Sequence, residues 1–166
     1  MPSWRARRTF VNDLFGDLIR IVANQKQSAG QPDEPTGWTR LDRTVTEVRK
    51  RLASATEEEQ FQAVGLLCRE ALISLAQAVF DPEEHRTLDG TPASPTDAKR
   101  MLDAYIATAF GGSQNGYTRK AARAAVDLAV HLQHQRTATF RSAAMCVEAT
   151  TSVVNLIAIS AGLRDP

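Results

Sequence analysis

"FQAVGLLCREALISLAQAVF", Phe61 to Phe80, is the stretch whose reading decides the fold class. Its apolar residues do not alternate with polar ones, so it does not read as a half-buried strand. They recur on nearly every side of a 3.6-residue period. Only Gln62, Arg69, Glu70, Ser74 and Gln77 interrupt them, as a narrow polar stripe. A helix this apolar is stable in water only when other helices surround it. The stretch therefore predicts the central helix of an all-α bundle. Just before it, "TEEE" from Thr56 supplies an N-cap and then carboxylates that suit the positive end of the helix dipole.

The neighbours needed to surround it are legible on both sides. Upstream, Leu41, Val45, Val48 and Leu52 form the apolar stripe of a helix over Thr39 to Ala53. Downstream, "DPEEHRTLDGTPASP", Asp81 to Pro95, is too rich in proline and glycine for regular structure. His85 is expected to be solvated within that loop. Ser94 with Pro95 suits the start of a helix reaching Phe110. "GGSQNG" ends it, a further helix runs from Tyr117 to Gln135, and a last one from Ala138 to Ala161 stops at Gly162. No segment has period two, and there is no internal repeat.

The N-terminal part stands apart. Phe10, Leu14, Leu18 and Val22 step by four along an amphipathic helix, Thr9 to Gln27, and "SAGQPDEPTG", Ser28 to Gly37, reads as a linker. The expected organisation is an arm helix over 1–27, a linker over 28–37 and a bundle of four to five core helices over 38–162. The arm suits a docked element, a swapped element or the tail of a domain that a longer relative carries, and as a docked element it suits the covering of a partner protein.

Composition narrows the function classes. A net charge of +1 gives no global field toward nucleic acid or membrane. The charge is unevenly spread: 10 basic and 6 acidic residues up to Leu52, 2 and 8 from Ala53 to Asp89, and 8 and 5 from Gly90 onward. Such blocks suit self-association or a basic face. The opening "MPSWRARR" leads into no apolar core of a signal peptide, and no uninterrupted apolar run reaches the roughly 18 residues of a span. A cytoplasmic location without membrane contact is expected. Cys68 and Cys146 both fall in apolar helical patterns and read as buried free thiols.

The candidate chemistry lies between Tyr117 and Arg141. Lys120, Arg123, Asp127, His131 and His134 are spaced 3, 4, 4 and 3 apart, which aligns them on one helical face. Ala121, Ala122, Ala125, Leu128, Ala129 and Leu132 would form the packing face. Arg119, Lys120, Arg123, Arg136 and Arg141 outnumber Asp127, so the segment is basic. These five are the candidate nucleic-acid contacts. His131, His134 and Arg136 are the candidate catalytic groups, as acid–base pair and anion stabiliser. A solvated helix face and a polar protein interface are the other readings of the same residues. His131 and His134 share a face but lack two further ligands for a closed zinc site, and no phosphate loop is present. Neither metal nor cofactor is expected.

Three stretches, "FQAVGLLCREALISLAQAVFDP", "SPTDAKRMLDAYI" and "LQHQRTATFRSAAMCVEAT", give the segment Thr39 to Ala161 a likeness to a known group. It resembles the HEPN superfamily of small helical bundles, particularly abortive-infection-like members in bacterial defence proteins. The resemblance implies frequent dimerisation and roles in RNA cleavage or in nucleotide and partner binding. Active members carry an arginine followed four to six residues later by histidine, near the start of the last helix. Here Arg136 and Arg141 precede no histidine, and His131 and His134 come before Arg136. A non-catalytic module for dimerisation and for partner, RNA or nucleotide binding is therefore expected. The alternative is a metal-independent ribonuclease using His131 or His134 with Arg136.

Overall fold

The computed structural model describes residues 35–133 and 137–164. Among these residues there are five helices and no strand. They are α1 (Thr39–Ser54), α2 (Glu58–Val79), α3 (Ala98–Ala109), α4 (Gly116–Gln133) and α5 (Phe140–Ser160). The protein is all-α, a helical bundle, as its periodicity requires. The expected arm, Thr9 to Gln27, and the linker before Pro35 lie outside the described residues.

α2 packs against each of the other four helices. Its Leu72 and Leu75 are fully buried, in one cluster with Leu41 of α1, Leu102 and Ile106 of α3, Val126 of α4, and Val153 and Ile157 of α5. Burial of each such side chain contributes about 1.5–3 kcal/mol. The expected polar stripe on α2 is present only in part. Gln62, Arg69 and Gln77 face solvent, but Ser74 is buried and Leu66 is 57% exposed. The first half of α2 is thus partly open, and its second half is enclosed.

α2 and α5 pass a length and mean-hydropathy test for membrane spans. The apolar window of each is 44% and 56% buried, respectively, within the bundle. Packing in the core accounts for their composition.

Helix ends are set by local hydrogen bonds, and two of them correct the expected caps. α2 is capped by Glu57 rather than Thr56, because Gln60 reaches back to the Glu57 amide while the Glu57 side chain accepts from the Gln60 amide. The Thr56 amide donates to the same Gln60 oxygen, at 2.6 Å. α3 is capped by Asp97, which accepts from the Arg100 amide, rather than by Ser94 and Pro95. Ser94 instead accepts from the Asp97 amide in the preceding turn. α5 starts from Thr139, whose hydroxyl accepts from the Ser142 amide while the Ser142 hydroxyl faces the Thr139 amide. At its far end, Gly162 adopts φ +70°, and the Leu163 and Gly162 amides close back on the Ala158 and Ile159 carbonyls. That double closure favours glycine, as expected at Gly162.

The Asp81–Pro95 connection is irregular, as expected, but His85 is not solvated. It is 8% exposed and lies against the rings of Tyr105 and Phe80, at centroid distances of 5.2 and 5.9 Å. Its Nδ1 accepts from the Asp81 amide at 2.8 Å. Further along, Arg100 holds the loop through Asp89 at 3.3 Å and the Thr91 carbonyl at 3.3 Å. The aromatic contacts are tertiary, so the acidic local sequence gave no sign of them.

His85 is thus expected to act as a structural anchor. Replacing it with Ala removes both ring contacts and the acceptor, at a cost of about 2 kcal/mol. His85→Phe keeps the stacking and strands only the Asp81 amide, at about 1 kcal/mol. Urea denaturation should rank the variants in that order, with proteolysis near 81–97 enhanced only in the Ala variant.

Candidate functional site

The candidate strip on α4 is real as geometry over its described residues, but two of its charges, Arg123 and Asp127, already have partners. Lys120, Asp127 and His131 are exposed, and Arg123 is half-buried at the edge of the face. The buried face is centred on Ala122, Val126 and Ala129. Ala121 and Leu128, expected on the packing side, face solvent instead. The burial arc is rotated because Val126 and Val130, not Leu128, meet the core cluster.

Arg119 turns back toward the end of α3, where its guanidinium donates to the carbonyls of Phe110 and Gly112. Those carbonyls close a helix end, where a cation also favours the dipole. Asn115 completes the turn by donating to the Gly111 carbonyl at 2.9 Å. Arg123 faces Asp103 of α3 at 3.9 Å. Lys99 lies between Asp103, at 3.1 Å, and Asp127. The α3–α4 seam therefore carries an alternating network in which two of the candidate strip's charges are internal partners.

Burial is the largest single influence on the Lys99 amine and would lower its pKa. Hydrogen bonds from Asp127 and Asp103 outweigh it, and the amine is held above its ordinary value of 10.5. A raised lysine pKa means that its contribution to stability is complete at neutral pH and is lost as pH climbs beyond that value.

Of the described basic candidates between Tyr117 and Arg141, Lys120, His131 and Arg141 have no ion-pair partner. They do not form one cluster. Lys120 lies roughly 16 Å along α4 from His131, at 1.5 Å of rise per residue. Arg141 stands exposed in the first turn of α5, whose start is fixed by an edge-to-face contact between Phe140 and Phe61 of α2 at 6.1 Å. His134 and Arg136 lie outside the described residues.

Two clefts adjoin these elements. One of about 330 Å³ lies between the end of α1 and the start of α2, lined by Glu47, Lys50, Arg51, Ser54 and Gln60. Arg51 is engaged there with Glu47 at 2.7 Å. A smaller one of about 50 Å³ is bounded by Phe61 and Gly65 of α2, by Leu132 and Gln133 of α4, and by Ala138, Ser142 and Cys146. It sits where α4 gives way to α5.

Behind this small cleft lies a polar feature that the sequence reading treated as inert core. Cys68 and Cys146 are both free and almost fully buried. They are close neighbours across the α2–α5 contact, with Thr150 beside both. The Cys146 thiol also donates to the Ala129 carbonyl at 3.8 Å. Thr150 is 2% exposed, and its hydroxyl has no hydrogen-bond partner. The neighbouring Cys68 thiol, helped by Thr150 and opposed by burial, holds the Cys146 thiol below its ordinary pKa. The same thiol contact, followed by burial, pushes the Cys68 thiol far up. Cys146 and Thr150 stand four apart on one helix, a visible signal, but their alignment with Cys68 exists only in the folded bundle.

Comparison with family models, curated proteins and solved structures finds no match to this chain.

The geometry separates the candidate cations by role. Arg119→Ala should destabilise the bundle by about 1–2 kcal/mol, the scale of hydrogen bonds from a charged donor. Lys120→Ala and Arg141→Ala should leave the melting temperature unchanged. The Lys99 network should weaken on alkaline titration above pH 10.5, and Lys99→Met should flatten that limb of the stability profile.

Proposed function

We propose that the chain is a binding and assembly module of the HEPN-like kind: it pairs with a second copy and presents a basic surface to RNA, a nucleotide or a partner protein. The observation that carries the reading is the outward face of α5. Arg141, Met145, Glu148, Ser152 and Ile159 all project from it, and Met145 and Ile159 are 46% and 56% exposed. They lie within one arc of the helix, since their spacing of 4, 3, 4 and 7 is helical. Methionine and arginine are enriched where protein surfaces meet, and an apolar centre with a polar rim suits such contacts. On α4, Tyr117 and Leu128 are exposed in the same way beside Lys120 and His131.

The binding side of the proposal rests on Lys120, His131 and Arg141, the described basic candidates between Tyr117 and Arg141 that no ion pair engages. Contacts of this type recognise phosphates without base identity and weaken steeply with salt. The resemblance of Thr39 to Ala161 to abortive-infection bundles supports a role for the module in a bacterial defence or toxin–antitoxin type system. The arm, Thr9 to Gln27, would add the contact with a partner protein. Turnover is not part of this reading, because the order of His131, His134 and Arg136 reverses that of active relatives.

Light scattering after gel filtration should report a dimer, and Met145→Glu with Ile159→Glu should convert it to a monomer of unchanged helicity. Fluorescently labelled single-stranded RNA incubated with EDTA should remain intact and bind in low salt. Arg141→Ala should weaken that binding. A monomer at every concentration that also binds no RNA would overturn the proposal. EDTA-resistant cleavage abolished by His134→Ala would replace it with the ribonuclease reading.

A further inference from the structure

We propose that the cleft between the end of α1 and the start of α2 binds a phosphomonoester, with Lys50, Arg51 and Gln60 as its donors. The cleft holds about 330 Å³, within the range of small-ligand sites. Its polar groups are unevenly used, and that imbalance identifies the ligand.

The acceptors around the cleft are already engaged. The Ser54 hydroxyl donates to the Lys50 and Arg51 carbonyls at 3.3 and 3.2 Å, and the Ala55 amide donates to the Arg51 carbonyl at 2.9 Å. These bonds occupy carbonyls at the end of α1 that would otherwise repel an anion. Glu47 accepts from the Arg51 Nε at 2.7 Å. The Gln60 Oε1 accepts from the Thr56 and Glu57 amides, at 2.6 and 3.2 Å.

The donors are left over. Two backbone amides fix the Gln60 oxygen against the turn, so the planar side-chain amide turns its Nε2 away from them. Neither the Gln60 Nε2 nor the Lys50 Nζ has a hydrogen-bond or ion-pair partner among the described residues. Arg51 commits its Nε to Glu47, which holds the guanidinium plane and leaves the terminal amino groups over. The lining thus sets two cations, Lys50 and Arg51, against one carboxylate, Glu47. A cationic ligand would leave all of these donors unanswered, whereas an oxyanion accepts from each.

The number of donor groups favours phosphate over carboxylate. An ammonium, a guanidinium edge and an amide, brought together from two helices, match the three free oxygens of a terminal phosphate. A carboxylate has only two. Beside the donors, Ala55 and Ala63 supply a small apolar wall for the group that the phosphate esterifies. A small phosphorylated metabolite and the phosphorylated end of an RNA share this chemistry. The site uses none of Lys120, His131 and Arg141, so it does not rest on the binding surface proposed above.

Nuclear magnetic resonance of the isotope-labelled full-length protein tests the proposal, with inorganic phosphate, uridine monophosphate and uridine added at constant ionic strength. The Gln60 side-chain amide and the Ala55 and Ala63 backbone amides should shift saturably with phosphate and the monophosphate. Uridine and matching chloride should leave them in place. Shifts with end-phosphorylated RNA, but not with its hydroxyl-ended counterpart, would extend the site to RNA ends; a response to the monophosphate alone would assign it to a metabolite. Gln60→Glu keeps an oxygen to cap α2 and replaces the donor with a second carboxylate oxygen. Lys50→Met removes the charge and keeps the stem. Each should weaken monophosphate binding roughly tenfold or more, the scale of one charge-assisted hydrogen bond, with helicity unchanged. Lys120→Ala should bind as the wild type does. No saturable shift with phosphate or the monophosphate, equal shifts with uridine or chloride, or wild-type binding by either cleft variant would each overturn the proposal. Equal weakening in Lys120→Ala would do so too.

Discussion

The enclosure of α2 is the constraint on which the rest of the bundle depends. A helix with leucine, isoleucine, valine and alanine on most of its circumference has no stable exposed orientation, so every neighbour is placed by the need to cover it. α1, α3, α4 and α5 each supply part of the cover, and Leu72 and Leu75 sit where their contributions meet. The enclosure is uneven along the axis. Around Leu66 the cover is incomplete, and this is the half of α2 that borders the small cleft and the Phe61–Phe140 contact.

Electrostatics in this protein is mostly a matter of where helices end and touch. Arg119 is used on two carbonyls at the end of α3, and Lys99, Asp103, Arg123 and Asp127 balance one another along the α3–α4 seam. The Lys99–Asp127 pair is solvent-exposed and contributes little on its own, while the pairs through Asp103 are half-buried. Their main effect is on register: an apolar seam rich in alanine can slide, whereas alternating charges penalise a shifted pairing. The same pairing subtracts cations from the surface. What remains available for a phosphate-bearing partner is sparser than a count of arginines and lysines over Tyr117 to Arg141 implies.

Much of the fold was legible because helical periodicity is a local property. The five helices follow the apolar stripes of their own sequence, and Gly162 closes α5 as its position suggests. Choices among nearby polar residues were harder to read. Thr56 and Glu57 both suit a cap, and only the reach of Gln60 selects Glu57. The packing face of α4 was placed too far toward Leu128, because alanines on both sides of the helix carry little directional information. The burial of His85 and the tertiary partners of Arg119 and of Cys68 and Cys146 were not legible for one shared reason. Each is defined by a partner from another element, and a one-dimensional reading of its surroundings sees only acidic loop, basic strip or apolar helix. Of the candidate catalytic groups, only His131 lies within the described residues, where it is exposed on the face its spacing predicts.

The cover over α2 also has an order in time. α5 packs against α1, α2 and α4, yet it is separated from α2 by all of α3, α4 and their connections. During synthesis at roughly 5–20 residues per second, α2 therefore emerges several seconds before α5 can shield it. Throughout that interval its apolar flank is open to any other nascent chain with a similar stripe, including a second copy made on the same messenger. A helix of another molecule that occupied the α5 position would satisfy the same burial requirement. Polysome spacing and chaperone access thus become determinants of whether this bundle closes on itself or exchanges its last helix with a neighbour.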